Sequence, residues 1–213
     1  LSMQVDDING LETGTVRIGT FSSVATHWLP RIIKRFQRDF PNIEYEMLLG
    51  DFPEIERWCE EGRVDLGFLP YAPAPASLGA RWLEDDELLA VLPEGHELAT
   101  PPAPVPLARL CEEPFIMLEQ SGDEEVRSVF ARAGLTPRVR FTTFDDYAIM
   151  SMVESGLGLA VLPALILRRN PYHVAVRQLD PVAHRSINVV YRDLDRLPLA
   201  AKRFLGYLDY RSG

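Results

Sequence analysis

With 213 residues, 46% hydrophobic and 25% charged, the chain suits one large or two small domains, either able to bury a core. Its formal net charge of −9 argues against a chain that grips a phosphate backbone by itself, since such affinity comes mostly from Lys and Arg. No apolar run approaches the ~20 residues a bilayer span needs, and residues 1–13 lack the charged and apolar regions of a signal peptide, so the cytoplasm is the expected location. Cys59 and Cys111 belong to no CxxC motif, and His27, His96, His173 and His184 are scattered without ligand spacing. Reduced thiols and no metal are therefore expected. A first residue of Leu rather than Met suggests a piece of a longer protein with a domain upstream.

In TVRIGTFSSVATHWL (15–29), Val16 and Ile18 alternate with Thr15 and Arg17 as in a strand, and Gly19-Thr20 announces a turn. Ser22 and Ser23 are N-cap candidates for the helix that follows, and hydroxyls and free N–H groups at such a junction suit an anion or a carboxylate. From Val24 to Phe40, Ala25, Trp28, Leu29, Ile32, Ile33, Phe36 and Phe40 keep helical spacing. Pro30 predicts either a kink or a loose first turn with the regular helix beginning there. Ile43, Tyr45 and Met47 alternate with Glu44 and Glu46, a half-buried edge strand. Asp51 caps a short helix with Pro53 near its start and Ile55, Trp58 and Cys59 inward, closed by Gly62. Val64, Leu66 and Phe68 then form a third strand. Such strand-helix alternation is the grammar of a parallel sheet with right-handed crossovers, whose ligands sit at the carboxyl ends of the strands. Here those ends are Thr20–Ser23, Gly50–Phe52 and Leu69–Tyr71.

Beyond the proline-stiffened YAPAPAS loop, Ala80–Leu83 and Leu88–Leu92 are read as two extended segments separated by a solvated acidic run, Glu84–Glu87. Pro93–His96 turns the chain. Phe115–Leu118 is a strand, and QSGDEE leads into a helix carrying Val126, Val129, Phe130 and Ala133, stopped by Gly134. Val139 and Phe141 mark another strand. Asp145 or Thr143 caps the next helix, with Ile149, Met150, Met152 and Val153 inward and Gly156 at its end, and LGLAVLP is a buried strand. Two strands, His173–Leu179 and Ser186–Tyr191, and a helix from Leu197 to about Tyr210 complete the chain. If Ser186–Tyr191 returns to the first sheet, the first lobe is discontinuous.

Catalytic patterns are missing from the sequence: there is neither a GxSxG elbow nor a P-loop. Gly156-Leu157-Gly158 precedes a strand instead of opening a helix, which argues against dinucleotide binding. Asp145-Asp146 is better explained as a helix cap than as a general base. The residues point to a non-enzymatic binding module without a cofactor, whose lobes close around a small molecule.

The ordered segments VRIGTFSSVATHWLP, FQRDFPNIEYEMLLGD, EEGRVDLGFL, LLAVLPEGHELA and VESGLGLAVLP resemble the effector-binding (substrate-binding) domain of LysR-type transcriptional regulators, from about Gly14 to Tyr210. The resemblance implies an α/β chain of two Rossmann-like subdomains of the type 2 periplasmic-binding-protein fold, joined by two crossover strands. Residues 1–13 would end a linker, 14–88 and 187–213 form subdomain I, and 89–186 form subdomain II. It implies a small-molecule effector between the subdomains, met by Ser22, Ser23, Val24, Asp51, Leu69 and Pro70 from the first and by Gln120, Ser121, Phe144 and Asp145 from the second. Asp51 and Pro70 depart from the neutral hydroxyl or basic residue that many carboxylate-binding relatives carry, so the expected ligand is polar and donates as well as accepts hydrogen bonds. The resemblance further implies a homodimer through helix 26–40 and strand 43–49, a tetramer in the full-length protein, and DNA contact only through a missing N-terminal winged helix-turn-helix. A solute-binding protein of a transporter, which has the same fold, is the alternative.

Overall fold

The computed structural model describes residues 13–74, 76–119 and 125–212. The chain divides into two compact units. One takes in the described residues up to Glu84 together with those from Ser186 onward, and the other is Asp85–Arg185.

In the first unit, β1 (Gly14–Thr20) is flanked in parallel by β2 (Ile43–Leu49) and β3 (Leu66–Leu69). Between them come α1 (Ser22–His27), α2 (Leu29–Asp39) and α3 (Phe52–Glu60). Val16 and Ile18 are wholly buried, as the alternation requires. Neither Ser22 nor Ser23 is the N-cap of α1. That position belongs to Phe21, which has extended φ/ψ and makes no side-chain cap, because β1 runs on to Thr20 and the helix starts one residue later. The helical stretch over 24–40 is interrupted near Pro30, as that residue predicts: it forms two helices broken at Trp28, with Pro30 in the first turn of α2, where its missing N–H costs nothing. β2 is the edge strand, but Met47 is 42% exposed: at an edge the outer end of the inward face has no layer to cover it. Phe36 anchors α2 in a cluster of edge-on rings with Phe204 (5.3 Å) and Tyr207 (5.0 Å).

Two long strands carry the chain between the units. β4 (Gly79–Pro93) crosses at Glu84–Asp85, and β9 (Val174–Tyr191) returns at Arg185–Ser186. The sequence predicts each as two separate segments. The acidic run does not break β4, because period-two alternation hands its charges to partners: Asp86 is buried against Arg185 (2.8 Å), and Glu84 meets Arg211 (2.7 Å). Antiparallel pairing of Phe68 with Val189 returns the end of β9 to the first sheet, which makes that unit discontinuous in sequence.

The second unit continues with β5 (Val105–Pro106), α4 (Leu107–Leu110), β6 (Pro114–Leu118), α5 (Glu125–Arg132), β7 (Arg138–Thr143), α6 (Asp146–Glu154), β8 (Leu159–Pro163) and α7 (Ala164–Leu167). Its strand order is β4-β8-β6-β7, with β8, β6 and β7 parallel and β4 antiparallel to β8. Alternate residues enter two separate cores. Leu88, Ala90, Phe115, Met117, Leu159 and Val161 pack with Val126, Val129 and Phe130 of α5, whereas Val91, Ile116, Ala160 and Leu162 pack with Ile149, Met150 and Val153 of α6. Both faces are covered, which is why these strands read as continuous apolar runs. The last helix, α8 (Leu199–Leu205), belongs to the first unit and is shorter than expected. It stops at Gly206, and a separate single 3₁₀ turn follows at Leu208–Arg211.

Candidate functional site

The loops at the carboxyl ends of β1, β2 and β3 meet at one rim of the first unit. Gly50 N–H donates to the Thr20 carbonyl at 3.3 Å, tying the first loop to the second. An aromatic chain then spans all three: Phe21 lies edge-on to Phe52 at 5.4 Å, and Phe52 edge-on to Tyr71 at 6.0 Å. These rings escaped the sequence analysis because each stands alone in its loop; their only signal was a position at a strand end.

Asp51 is the N-cap of α3 and half of a capping box. Its Oδ1 accepts from Glu54 N–H at 2.8 Å, and Glu54 Oε1 accepts from Asp51 N–H at 3.0 Å. The other Asp51 oxygen has no hydrogen-bond partner among the described residues. Ser22 is exposed and Ser23 buried. Val24 and Leu69 are fully buried and Pro70 is buried too, so these three shape the rim from below. Thr20, with no exposure, donates its hydroxyl to the Phe21 carbonyl at 3.3 Å. Asn188, opposite Leu69 in the β3–β9 ladder, is a buried polar residue that the sequence did not single out, and it donates to the Ser186 carbonyl at 2.9 Å.

In the second unit the β7–α6 loop presents Phe144, 70% exposed. Asp145 caps α6, accepting from Tyr147 N–H (3.1 Å) and Ala148 N–H (3.3 Å), while Thr143 Oγ1 accepts from Asp145 N–H at 3.2 Å. Glu119 N–H donates to the Thr143 carbonyl at 3.1 Å, so the ends of β6 and β7 are joined. Gln120 and Ser121 lie outside the described residues. The sequence-predicted residues are thus gathered into two groups: Ser22, Ser23, Val24, Asp51, Leu69 and Pro70 on the first unit, and Phe144 with Asp145 on the second.

The second unit also holds a buried charge cluster. Arg185 Nε donates to Asp86 Oδ2 at 2.8 Å, its Nη1 lies 3.8 Å from Glu125 Oε2 at the start of α5, and Asp86 Oδ1 accepts from Leu165 N–H at 2.9 Å. The thiols have the opposite of nucleophile tuning. Burial, then the charges of Glu60, Glu56 and Asp65, push Cys59 up to about 12, and burial followed by Glu112 raises Cys111. Among the described residues no group of three or more His, Cys, Asp or Glu is placed to hold a metal, and no helix is long and apolar enough to cross a membrane.

Comparison with known proteins agrees with this architecture. Residues 9–212 match the model of the LysR substrate binding domain. The uncharacterised HTH-type transcriptional regulator YvbU of Bacillus subtilis is 32% identical over 198 residues, which cover 92% of this chain and 67% of YvbU. Among solved structures, HinK, a LysR family transcriptional regulator from Pseudomonas aeruginosa, superposes with a TM-score of 0.81 at 28% identity, over 98% of this chain and 74% of HinK. The effector-binding domain of QuiR, solved in complex with shikimate, superposes with a TM-score of 0.82 over 92% of this chain and 96% of that one; at 20% identity this is a likeness of fold.

Proposed function

Because the chain belongs to the LysR substrate-binding domain family, we propose that it is the effector-sensing part of a LysR-type transcriptional regulator, taking up a small-molecule effector. Its relatives are regulators rather than enzymes or transporter components. The observation that carries the ligand reading is the convergence of three strand-end loops through Phe21, Phe52 and Tyr71, a rim with aromatic walls and hydrogen-bonding groups between them. QuiR, of the same fold, holds the polyhydroxylated acid shikimate. In this chain the second Asp51 oxygen remains available to accept a hydrogen bond, which favours a polar ligand that donates one. Ser22, Ser23, Val24, Leu69 and Pro70 on the first unit, and Gln120, Ser121, Phe144 and Asp145 on the second, are the further residues that the family resemblance assigns to ligand contact.

Isothermal titration of the 213-residue chain against hydroxylated and amino-bearing metabolites tests this reading. Asp51→Asn keeps an oxygen for the Glu54 cap but removes the charge, and is expected to weaken a donating ligand by about tenfold or more, the value of one hydrogen bond to a charged group. Unchanged affinity in both Asp51→Asn and Ser22→Ala would remove this rim from the site.

The chain spans about two thirds of YvbU's length, and DNA contact is assigned to a winged helix-turn-helix in the remainder of the full-length protein. The cytoplasm follows as the place of work. Homodimerisation through helix 26–40 and strand 43–49 is supported by the open edge of β2, where Met47 and Leu49 are 42% and 58% exposed. Assembly into a tetramer belongs to the full-length protein. Sedimentation of Leu49→Glu, expected to shift this domain toward monomer, tests the surface.

A further inference from the structure

We infer that the first unit carries a second binding site, for a small tetrahedral oxyanion such as inorganic phosphate, at the end of its sheet opposite the strand-end rim. A cavity of about 150 Å³ opens there, where β3 begins and the antiparallel β9 ends, and it is lined by Arg17, Arg192 and Arg196 together with Asp65 and Asp193. Three guanidiniums around one cavity are unexpected in a chain of net charge −9.

The two carboxylates are already engaged. Asp65 is buried; its Oδ2 accepts from Arg17 N–H at 2.9 Å and its Oδ1 from Arg17 Nη2 at 3.2 Å. Asp193 Oδ1 accepts from Asp195 N–H at 3.0 Å, and its Oδ2 faces Arg196 Nε at 3.4 Å. Arg192 is different. Its sole partner among the described residues is the Glu60 carbonyl, 3.3 Å from Nη1, and no carboxylate neutralises it. Asp65 and Asp193 offset the charges of Arg17 and Arg196, so the three guanidiniums leave the lining one positive charge in excess, centred on Arg192 and its remaining N–H groups. The planar guanidinium fork matches paired oxygens of phosphate or sulfate, and the cavity has room for an ion of that size. Because this cavity shares no residue with the effector rim, its occupancy is independent of the effector assignment.

The test is titration of the 213-residue chain with inorganic phosphate at constant ionic strength, chloride replacing phosphate in the control, followed by calorimetry and by the amide shifts of Gly62 and Arg192. Saturable binding that moves these amides, weakened at least tenfold in Arg192→Gln and unchanged in Arg132→Gln, is the expected result; Arg132 is an exposed residue of the other unit. Arg192→Lys, which keeps the charge but not the fork, should bind more weakly than wild type and more tightly than Arg192→Gln. Sulfate competing with phosphate supports recognition of the tetrahedral oxyanion. A response identical to that of chloride, or equal affinity in wild type and Arg192→Gln, overturns the inference.

Discussion

Replacing Arg185 by Met strands a carboxylate inside the second unit. Both partners of the Arg185–Asp86 pair are nearly inaccessible, with side-chain exposures of 5% and 6%, and they meet at 2.8 Å. Without the guanidinium, Asp86 keeps one described donor, Leu165 N–H at 2.9 Å, and Glu125 loses the cation 3.8 Å away. Breaking a buried pair from one side costs about 3–5 kcal/mol, because the remaining charge has neither water nor a counterion. That is a fifth or more of the ~5–15 kcal/mol by which domains are stable, and at ~2–4 °C per kcal/mol for a chain of this size it lowers Tm by roughly 6–20 °C. Differential scanning calorimetry with urea unfolding measures it. The double variant Asp86→Asn/Arg185→Met separates the charge from the packing: the introduced amide would retain an oxygen for Leu165 N–H, but no charge would be buried at that position. It is expected to recover at least ~1 kcal/mol relative to Arg185→Met. A loss below ~1 kcal/mol in Arg185→Met, or a double variant less stable than the single one, would refute the view that the stranded charge dominates.

Asp51→Ala removes the capping box of α3 and should cost about 0.5–2 kcal/mol in urea unfolding, whereas Asp51→Asn costs much less. Gly67→Ala would place a Cβ 2.6 Å from Cys59 Sγ and 2.9 Å from Ile55, where α3 crosses β3 closely; the overpacking is worth about 1–3 kcal/mol. Cys59, pushed up to about 12 and 1% exposed, should react with a thiol reagent at pH 8 only as fast as the first unit unfolds, so rapid labelling of native protein would contradict its burial. Tyr207 is held up at about 12 chiefly by the hydrogen bond it donates to Asp39, then by burial and the Asp39 charge. A raised phenol pKa means stabilisation fully present below the unfolded value near 10 and lost as pH rises toward 12. Wild type should therefore lose stability between pH 10 and 12 relative to Tyr207→Phe, and parallel profiles of the two would show that the bond does not persist in solution.

Much of the local architecture is legible along the chain. Gly62, Gly134 and Gly156 read as helix terminators, and they sit at φ values of +73°, +69° and +79°, the left-handed conformation that a Cβ disfavours. Asp51 and Asp145 read as caps and accept from the first turns of α3 and α6, because a short carboxylate reaches N–H groups two or three residues ahead. Ser22 and Ser23 have the same chemistry and are not caps: a single residue, Phe21, separates β1 from α1 and takes the N-cap position itself. Local preference names the residue type suited to the role, but the length of the strand decides which residue occupies it.

The sequence by itself determined the family, through the order and spacing of its matched segments, and the alternation of strands and helices, which rests on periodicities and cap rules that act within a few residues. Only the tertiary structure decided that the acidic run 84–87 lies inside one unbroken strand, for Asp86 finds Arg185 99 positions away and Glu84 finds Arg211 127 positions away. It alone linked Phe21, Phe52 and Tyr71 into a single aromatic rim and left Arg192 without a carboxylate. A charge or a ring takes its meaning from what it packs against, and for these residues the partner is brought close by the sheet, not by the order of the chain.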